Sequence, residues 1–296
     1  MEVRIVILNY NGEDLLPQCL PGIAEAAKRA ASRTKITLLD NGSTDQGLAY
    51  AASHFPEAII VYAPQNRVLC SYNDYLPQIS EPVVILLNND IRVDPGFVDP
   101  LVERFAKDPG TFLVSPQVMS FDGKRIEAGR NRAAIRWGLF SSDTRYPGYE
   151  REAGTASETY SSGFGAFSRE KFLALGGYDD RFQPGIYEDV DLCLRAARRG
   201  WKLCYEPTSI VYHLGQASFK KKFGEEKIQV LAQRNRFLFM WKNFSGFRFW
   251  ISHLFFLPFR IVFSLLRGKT ALMKGFFEAL QHRKSNQKRD SRASYA

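Results

Sequence analysis

Three places in the chain cluster side chains that could do chemistry. The turn Asn88-Asn89-Asp90 directly follows the strongly apolar run Val83–Leu87. A carboxylate at the end of a buried strand suits a hard divalent cation. Mg²⁺ and Mn²⁺ take oxygen ligands and bridge protein carboxylates to phosphates. Asn and Asp are equally at home in a plain turn, because their side chains bond the local backbone. The second cluster is Glu188-Asp189-Val190-Asp191, preceded by the polar turn Gly176–Phe182. Acids at a helix start favour the dipole, and a carboxylate at such a junction, facing a cleft, is also a candidate general base. The third is His213, which ends the run Ile210–Tyr212. A lone His is usually structural; its claim is that imidazole would join Asp90 as a metal ligand.

These groups need a scaffold, and the first half of the chain reads as one. Val3–Leu8, Lys35–Leu39, Ala58–Tyr62 and Pro82–Leu87 are apolar, strand-like runs. Helical spacing in Glu13–Ala31, Gln46–His54 and Asn73–Ile79 alternates with them. That order predicts a parallel sheet with helices on its faces. Ligands bind at the carboxyl ends of such strands, where Asn9, Asp40 and Asn88–Asp90 lie. Further on, Phe112–Val118 reads as a strand and 121–160 as polar loop. Glu188–Arg199 reads as a helix stopped by Gly200, and Leu203–Tyr212 as a strand interrupted by Pro207.

The last third differs in character. Phe247–Leu266 has 14 hydrophobic residues in 20. On a helix, Arg248, Ser252, His253, Arg260, Ser264 and Arg267 fall within an arc of roughly 160°. This amphipathic pattern predicts a helix lying in a membrane interface; packing against the body as a core helix is the alternative. Gln281–Ala296 is polar and basic and reads as disordered.

With 296 residues, 45% hydrophobic and 24% charged, the chain is long enough to bury a core without staples. Collagen, a disulfide scaffold and a wholly disordered chain are excluded. Residues 216–296 hold 17 Lys and Arg against 4 Asp and Glu, a net +13; the first 215 hold 23 against 27, a net −4. A mildly acidic body with a basic end points to an anionic surface as partner. The aromatics sit in the apolar stretch rather than interleaved with basic residues, so nucleic acid is not expected. Cys19, Cys70, Cys193 and Cys204 form no CxxC pair and read as reduced thiols. The N-terminus runs straight into a strand-like segment with no signal-peptide pattern, which predicts a cytoplasmic body. No GxGxxG follows the first strand, which disfavours a dinucleotide dehydrogenase.

Taken together, these segments resemble a family 2 glycosyltransferase of the GT-A fold. Val6-Ile7-Leu8-Asn9-Tyr10-Asn11-Gly12 resembles the family's first strand and nucleotide loop. Leu38-Leu39-Asp40-Asn41-Gly42-Ser43-Thr44-Asp45 resembles its second strand and base- or ribose-contacting Asp. Leu86-Leu87-Asn88-Asn89-Asp90 stands where the family has its DxD metal motif. Ser161-Ser162-Gly163-Phe164-Gly165-Ala166-Phe167 and Gly176–Phe182 resemble its acceptor-side block. Glu188-Asp189-Val190-Asp191-Leu192 resembles its ED motif. The likeness covers residues 3–215 and is nearest to the bacterial rhamnosyltransferase-type branch, which builds lipid-linked envelope polysaccharide. Two departures are Asn88 at the first DxD position and Arg67 in a stretch where the family often has Gly.

The resemblance implies an α/β GT-A domain over 1–215, a mixed Rossmann-like sheet with helices on both faces. A C-terminal helical, membrane-associating segment over 216–280 and a basic tail over 281–296 would follow. It implies an inverting, metal-dependent glycosyltransferase. A nucleotide-diphosphate sugar would be held by Asn9, Asn11, Asp40, Asn66, Asn73 and Asn88. Asp90 and His213 would hold Mg²⁺ or Mn²⁺. Asp189 would be the base, and Glu188 would orient it or bind a lipid-linked or glycan acceptor. The enzyme would sit peripherally on the inner face of the cytoplasmic membrane. The alternative is a catalytically inactive nucleotide-sugar or glycan-binding module, motivated by Asn88 and Arg67.

Overall fold

The computed structural model describes residues 1–144, 146–214 and 223–293. They form two compact units. One comprises Met1–Arg132, Ser142–Asp180 and Glu188–Ser218; the other comprises Ala133–Ser141, Arg181–Tyr187 and Phe219–Ala296. The expected boundary at 215/216 lies outside the described residues. The second unit also takes in two segments from the middle of the sequence.

The first unit is built on parallel strands β1 (Glu2–Asn9), β2 (Arg33–Asp40), β3 (Ile59–Tyr62) and β4 (Val83–Asn88). Beyond β4 come β11 (Gly165–Ser168), antiparallel to it, then β6 (Thr111–Ser120), β12 (Lys202–His213) and β10 (Ser157–Glu158). β11 is antiparallel to β6 as well, whereas β12 is parallel to β6, so the sheet is mixed as expected. Short β5 (Ile91–Val93) and β7 (Ile126–Ala128) add to β12 and β6.

The sheet is covered on both faces, which is why its central strands read as continuous apolar runs. Val3, Ile5 and Ile7 of β1 pack with Val83, Ile85 and Leu87 in one core. Helices α1 (Leu16–Arg29) and α4 (Val98–Lys107) close that face. The alternate residues Val6, Leu8, Val84 and Leu86 form a second core. There α3 (Ser71–Tyr75), α6 (Arg169–Ala174) and α7 (Glu188–Arg198) supply Tyr72, Phe172 and Leu192. α2 (Gly47–His54) links β2 to β3. Cys19, Cys70 and Cys193 are buried and form no disulfide.

Several expectations need correction. Residues 121–160 are not loop. They hold β7, hairpin strands β8 (Arg132–Arg136) and β9 (Leu139–Asp143), a short helix α5 (Tyr149–Glu152) and β10. β8 carries half-exposed or exposed side chains throughout, so no apolar alternation marks it. Pro207 does not interrupt β12; a register shift between Glu206 and Ile210 accommodates it. A bulge is where a strand tolerates a residue without an N–H.

Beside the hairpin segment Ala133–Ser141, the second unit is helical. It contains α8 (Glu225–Asn243), α9 (Phe247–Leu266) and α10 (Ala271–Ala293). α10 carries helical backbone through part of the segment read as a disordered tail. No Gly or Pro follows Gly275, and Gln, Lys and Arg are good helix formers. In α8, Asn235 is fully buried, and its Nδ2 donates to the carbonyls of Phe182 (2.6 Å), Gly185 (2.7 Å) and Ile186 (2.8 Å). Arg234 Nε donates to Asn235 Oδ1 at 2.9 Å, fixing the amide's orientation, and Arg234 Nη2 bonds Gln183 O. This clamp holds a loop with left-handed backbone at Ile186 (φ 76°) and Tyr187 (φ 82°). A β-branched residue there is strained, and strain persists only where the surroundings over-determine it.

Candidate active site

The carboxyl ends of β1, β2 and β4 lie side by side, with Asn9 paired to Asp40 and Leu8 to Asn88. Asn9 Nδ2 donates to Asp40 Oδ1 (3.0 Å) and Ser43 Oγ (3.1 Å), and its Oδ1 accepts from Asn89 Nδ2 (2.9 Å). Asp40 also accepts from Ser43 Oγ (2.5 Å) and from the backbone N–H groups of Gly42 (3.0 Å) and Ser43 (2.9 Å). Those four donors fill its lone-pair sites. Asn9 and Asp40 therefore hold the turn after β2 from beneath. Asn11 finishes it: its Oδ1 accepts from Thr44 N, and its own N donates to Ser43 Oγ, both at 2.9 Å. A Cβ on Gly12 would come within 2.2 Å of Asn9 Oδ1, so only glycine lets this network close.

The other expected donor residues are dispersed. Asn88 is half-buried at the end of β4. Asn66 is exposed, and its Oδ1 accepts from Val68 N at 3.2 Å. Asn73 is spent on backbone: its Nδ2 donates to Tyr178 O (2.8 Å) and its Oδ1 accepts from Tyr178 N (2.9 Å). Arg67 is not a loose cation in the site. It is paired with Asp74 at 2.7 Å and with Asp180, which ties the turn before α3 to the segment after Tyr178.

Asp90 and His213 do meet, with Oδ2 and Nε2 3.5 Å apart. The β5–β12 pairing sets this, because His213 is in register with Ile91. Asp90 is buried, and its Oδ1 has no hydrogen-bond partner. An orphaned buried carboxylate oxygen beside an imidazole fits a hard divalent cation. Among the described residues no group of three or more His, Cys, Asp or Glu gathers around a common point. Asp90 and His213 would therefore hold the ion together with donor phosphate and water, as Mg²⁺ and Mn²⁺ sites commonly do.

Glu188 and Asp189 open α7, where the dipole favours negative charge. Asp189 is half-buried and Glu188 buried, with Glu188 Oε2 unpartnered. Burial, and then the charge on Asp189, push the Glu188 carboxyl up to about 8. Burial raises Asp189 as well, opposed by backbone N–H groups at the helix start. Of the pair, Asp189 ionises first and Glu188 keeps its proton at neutral pH.

Two residues join these pairs. A Cβ on Gly163 would sit 3.5 Å from Asp189 Oδ2, and the Phe164 ring lies 5.6 Å from the His213 ring. Asp189 and the Asp90–His213 pair thus flank one short segment ahead of β11. Asn89, Ser43 and this Gly163-Phe164 contact carry no assigned role in the sequence reading. Asn89 and Ser43 are ordinary turn residues by type, and only the fold shows that they bond Asn9 and Asp40.

A family model described as glycosyl transferase family 2 matches residues 4–176, and one described as glycosyltransferase like family 2 matches residues 158–262. The chain is 25% identical over 233 residues to the N-acetylglucosaminyl-diphospho-decaprenol L-rhamnosyltransferase of Mycobacterium tuberculosis, covering 71% of this chain and 75% of that one. Two solved structures share the fold. The mannosyltransferase PcManGT from Pyrobaculum calidifontis, in complex with GDP-Man and Mn²⁺, has a TM-score of 0.58 at 16% identity, covering 96% of this chain and 75% of that one. GalNAc-T7 with UDP, GalNAc and Mn²⁺ has a TM-score of 0.58 at 21% identity. That match covers 72% of this chain, which spans 44% of that longer one.

Proposed function

Because the chain belongs to glycosyl transferase family 2 and has the GT-A fold, we propose that it moves a sugar from a nucleotide-diphosphate donor to a lipid-linked glycan acceptor. The product would enter a bacterial envelope polysaccharide, and the anomeric carbon would be inverted. The observation that carries this reading is the single segment Gly163-Phe164, flanked by Asp189 and by the Asp90–His213 pair. The rhamnosyltransferase relative supports the lipid-linked acceptor by its diphospho-decaprenol name. The two Mn²⁺-bound neighbours support a divalent ion at Asp90 and His213.

The nucleoside lies against the turn that Asn9, Asp40 and Ser43 hold in place, with Asn11 and Asn66 at its exposed rim. A bound cation supplies charge neutralisation on the departing diphosphate. Asp189 accepts the proton of the acceptor hydroxyl as its oxygen bonds to the anomeric carbon. The anomeric carbon–oxygen bond to phosphate breaks, and its electron pair leaves with the nucleoside diphosphate. Glu188, protonated, donates a hydrogen bond to the acceptor through its unpartnered Oε2. Reaching a lipid-linked acceptor, the enzyme works at the anionic cytoplasmic face of the membrane, in keeping with the net +13 of residues 216–296.

The test is Asp189→Asn, which keeps the shape and removes the base. Turnover should fall at least about 10²-fold, while calorimetric donor affinity stays near wild type. Near-normal turnover in the purified variant overturns Asp189 as base.

A further inference from the structure

Helix α9 has its polarity reversed for a water-facing helix. His253 is 1% exposed, and Leu257 is buried four residues on. Trp241 Nε1 donates to His253 Nε2 at 3.2 Å, so His253 Nδ1 carries the proton and donates to Gly138 O at 2.7 Å. Arg260 Nη1 donates to Arg136 O at 3.0 Å, and Ser264 Oγ to Lys269 O at 2.6 Å. Positions 253, 257 and 260 form one helical stripe that faces the hairpin, while Ser264 closes the turn at the helix's own end. His253 and Arg260, two members of the polar arc read from the sequence, thus bond the hairpin rather than water. The opposite face carries Phe247, Ile251, Leu254, Phe255, Phe259 and Phe263, between 52% and 79% exposed.

The hairpin that receives these polar bonds extends the same face. Its turn, Trp137-Gly138, has positive φ at both residues (54° and 68°), the two-residue geometry that suits strand twist. Left-handed backbone at a non-glycine residue is costly, yet it leaves Trp137 66% exposed, edge-on to Phe256 at 5.1 Å. A Cβ on Gly138 would sit 2.6 Å from the Cα of His253, so hairpin and helix are packed backbone to backbone.

We propose that the outward face of α9 and the Trp137 turn form one surface that inserts side-on into an anionic lipid bilayer. This rests on the membrane reading above and assigns it to named residues. Charge selects lipid over a second copy of the chain. Residues 227–277 contain nine Lys and Arg and no Asp or Glu. Arg248, Arg267 and Lys269 are exposed at the two ends of α9. Two copies joined through this face would bring those cations together, whereas acidic headgroups complement them. The helix is long and apolar enough to cross a bilayer by length and composition. Its His253 and Arg260 are committed to the hairpin, however, so one side only is left for lipid. Such helices lie about 5–10 Å deep at the headgroup boundary, where Trp is favoured.

The experiment is flotation of the full chain with phosphatidylglycerol–phosphatidylcholine vesicles and with phosphatidylcholine alone. The probes are a Phe255→Ser/Phe259→Ser/Phe263→Ser variant and Trp137→Ala. All four side chains are exposed, so an unchanged thermal midpoint certifies folding. The wild type should float with anionic vesicles and be released by alkaline carbonate. The triple variant should bind at least about a hundredfold more weakly, and Trp137→Ala several-fold more weakly. If the wild type ignores anionic vesicles, the membrane reading itself falls. If the triple variant floats like the wild type, that reading stands and this surface is wrong. Carbonate-resistant wild type means that α9 crosses the bilayer, which overturns side-on insertion. A wild-type dimer that the triple variant abolishes, with no vesicle binding by either, assigns the face to a second copy.

Discussion

Replacing Glu188 by Gln tests the division of labour in the acidic pair, because the amide imitates a protonated carboxyl and never ionises. In the folded protein burial and the Asp189 charge raise Glu188 from its ordinary 4.5 to about 8. The folded state therefore binds that proton more tightly than the unfolded chain does. The resulting stability is fully present below about pH 4.5 and is lost as pH rises through about 8. At 1.36 kcal/mol per pH unit, the loss amounts to roughly 5 kcal/mol by pH 9. Asp189 titrates in both proteins and largely cancels. Urea unfolding at pH 5 and pH 9 should show the Glu188→Gln variant gaining on the wild type by several kcal/mol. A stability gap that stays within about 1 kcal/mol across that range refutes a proton held on Glu188. Turnover supplies the second arm. At pH 7 the variant should keep activity within about tenfold of wild type, since it preserves one neutral hydrogen bond. From pH 7 to 9 the wild type should decline as Glu188 ionises, and the variant should not. A loss beyond about 10²-fold at pH 7 would mean that Glu188 works as a charged base.

Asp90→Ala should abolish the Mn²⁺ dependence of donor binding and His213→Ala should weaken it, measured by calorimetric titration of donor with and without Mn²⁺; donor affinity indifferent to Mn²⁺ in the wild type defeats both assignments. Asn235→Ala strips three buried carbonyls of their shared donor and should cost at least about 2 kcal/mol in urea unfolding. Asn235→Asp should cost more, because a carboxylate would face those carbonyls; an Asp variant as stable as wild type contradicts the clamp.

How far the sequence carries depends on what each segment faces. β1, β2 and β4 are buried on both faces, so Ile5–Leu8 and Val83–Leu87 read as unbroken apolar runs, while buried Thr37, which bonds Arg4, interrupts β2. The turns at their ends are legible from Asn, Asp and Gly, which belong in turns for backbone reasons. The bonding inside those turns is not. Asn9 and Asp40 look like ligand-binding groups by type, yet the fold spends them on Ser43, Gly42 and Asn89. Partners so far apart in sequence leave no local signal. Hairpin β8–β9 is hidden for another reason: β8 is half-exposed or exposed throughout, β9 opens on the adjacent buried pair Leu139-Phe140, so neither alternates, and Trp137-Gly138 lacks the usual Asn-Gly signature.

Helix α9 fails differently. Its bounds, Phe247–Leu266, are legible from composition, but on its helical wheel Phe256, Phe259 and Phe263 fall inside the polar arc, so the two arcs are not cleanly separated. A wheel, however, carries no sign. Turning the polar arc outward presumes water beyond the helix. Here the hairpin carbonyls of Arg136 and Gly138 consume the polar groups. Six large apolar residues are left outside, where water would penalise them. This orientation is what the proposed side-on insertion expects, since an apolar medium bordered by anionic headgroups would answer both the exposed phenylalanines and the cations at the helix ends.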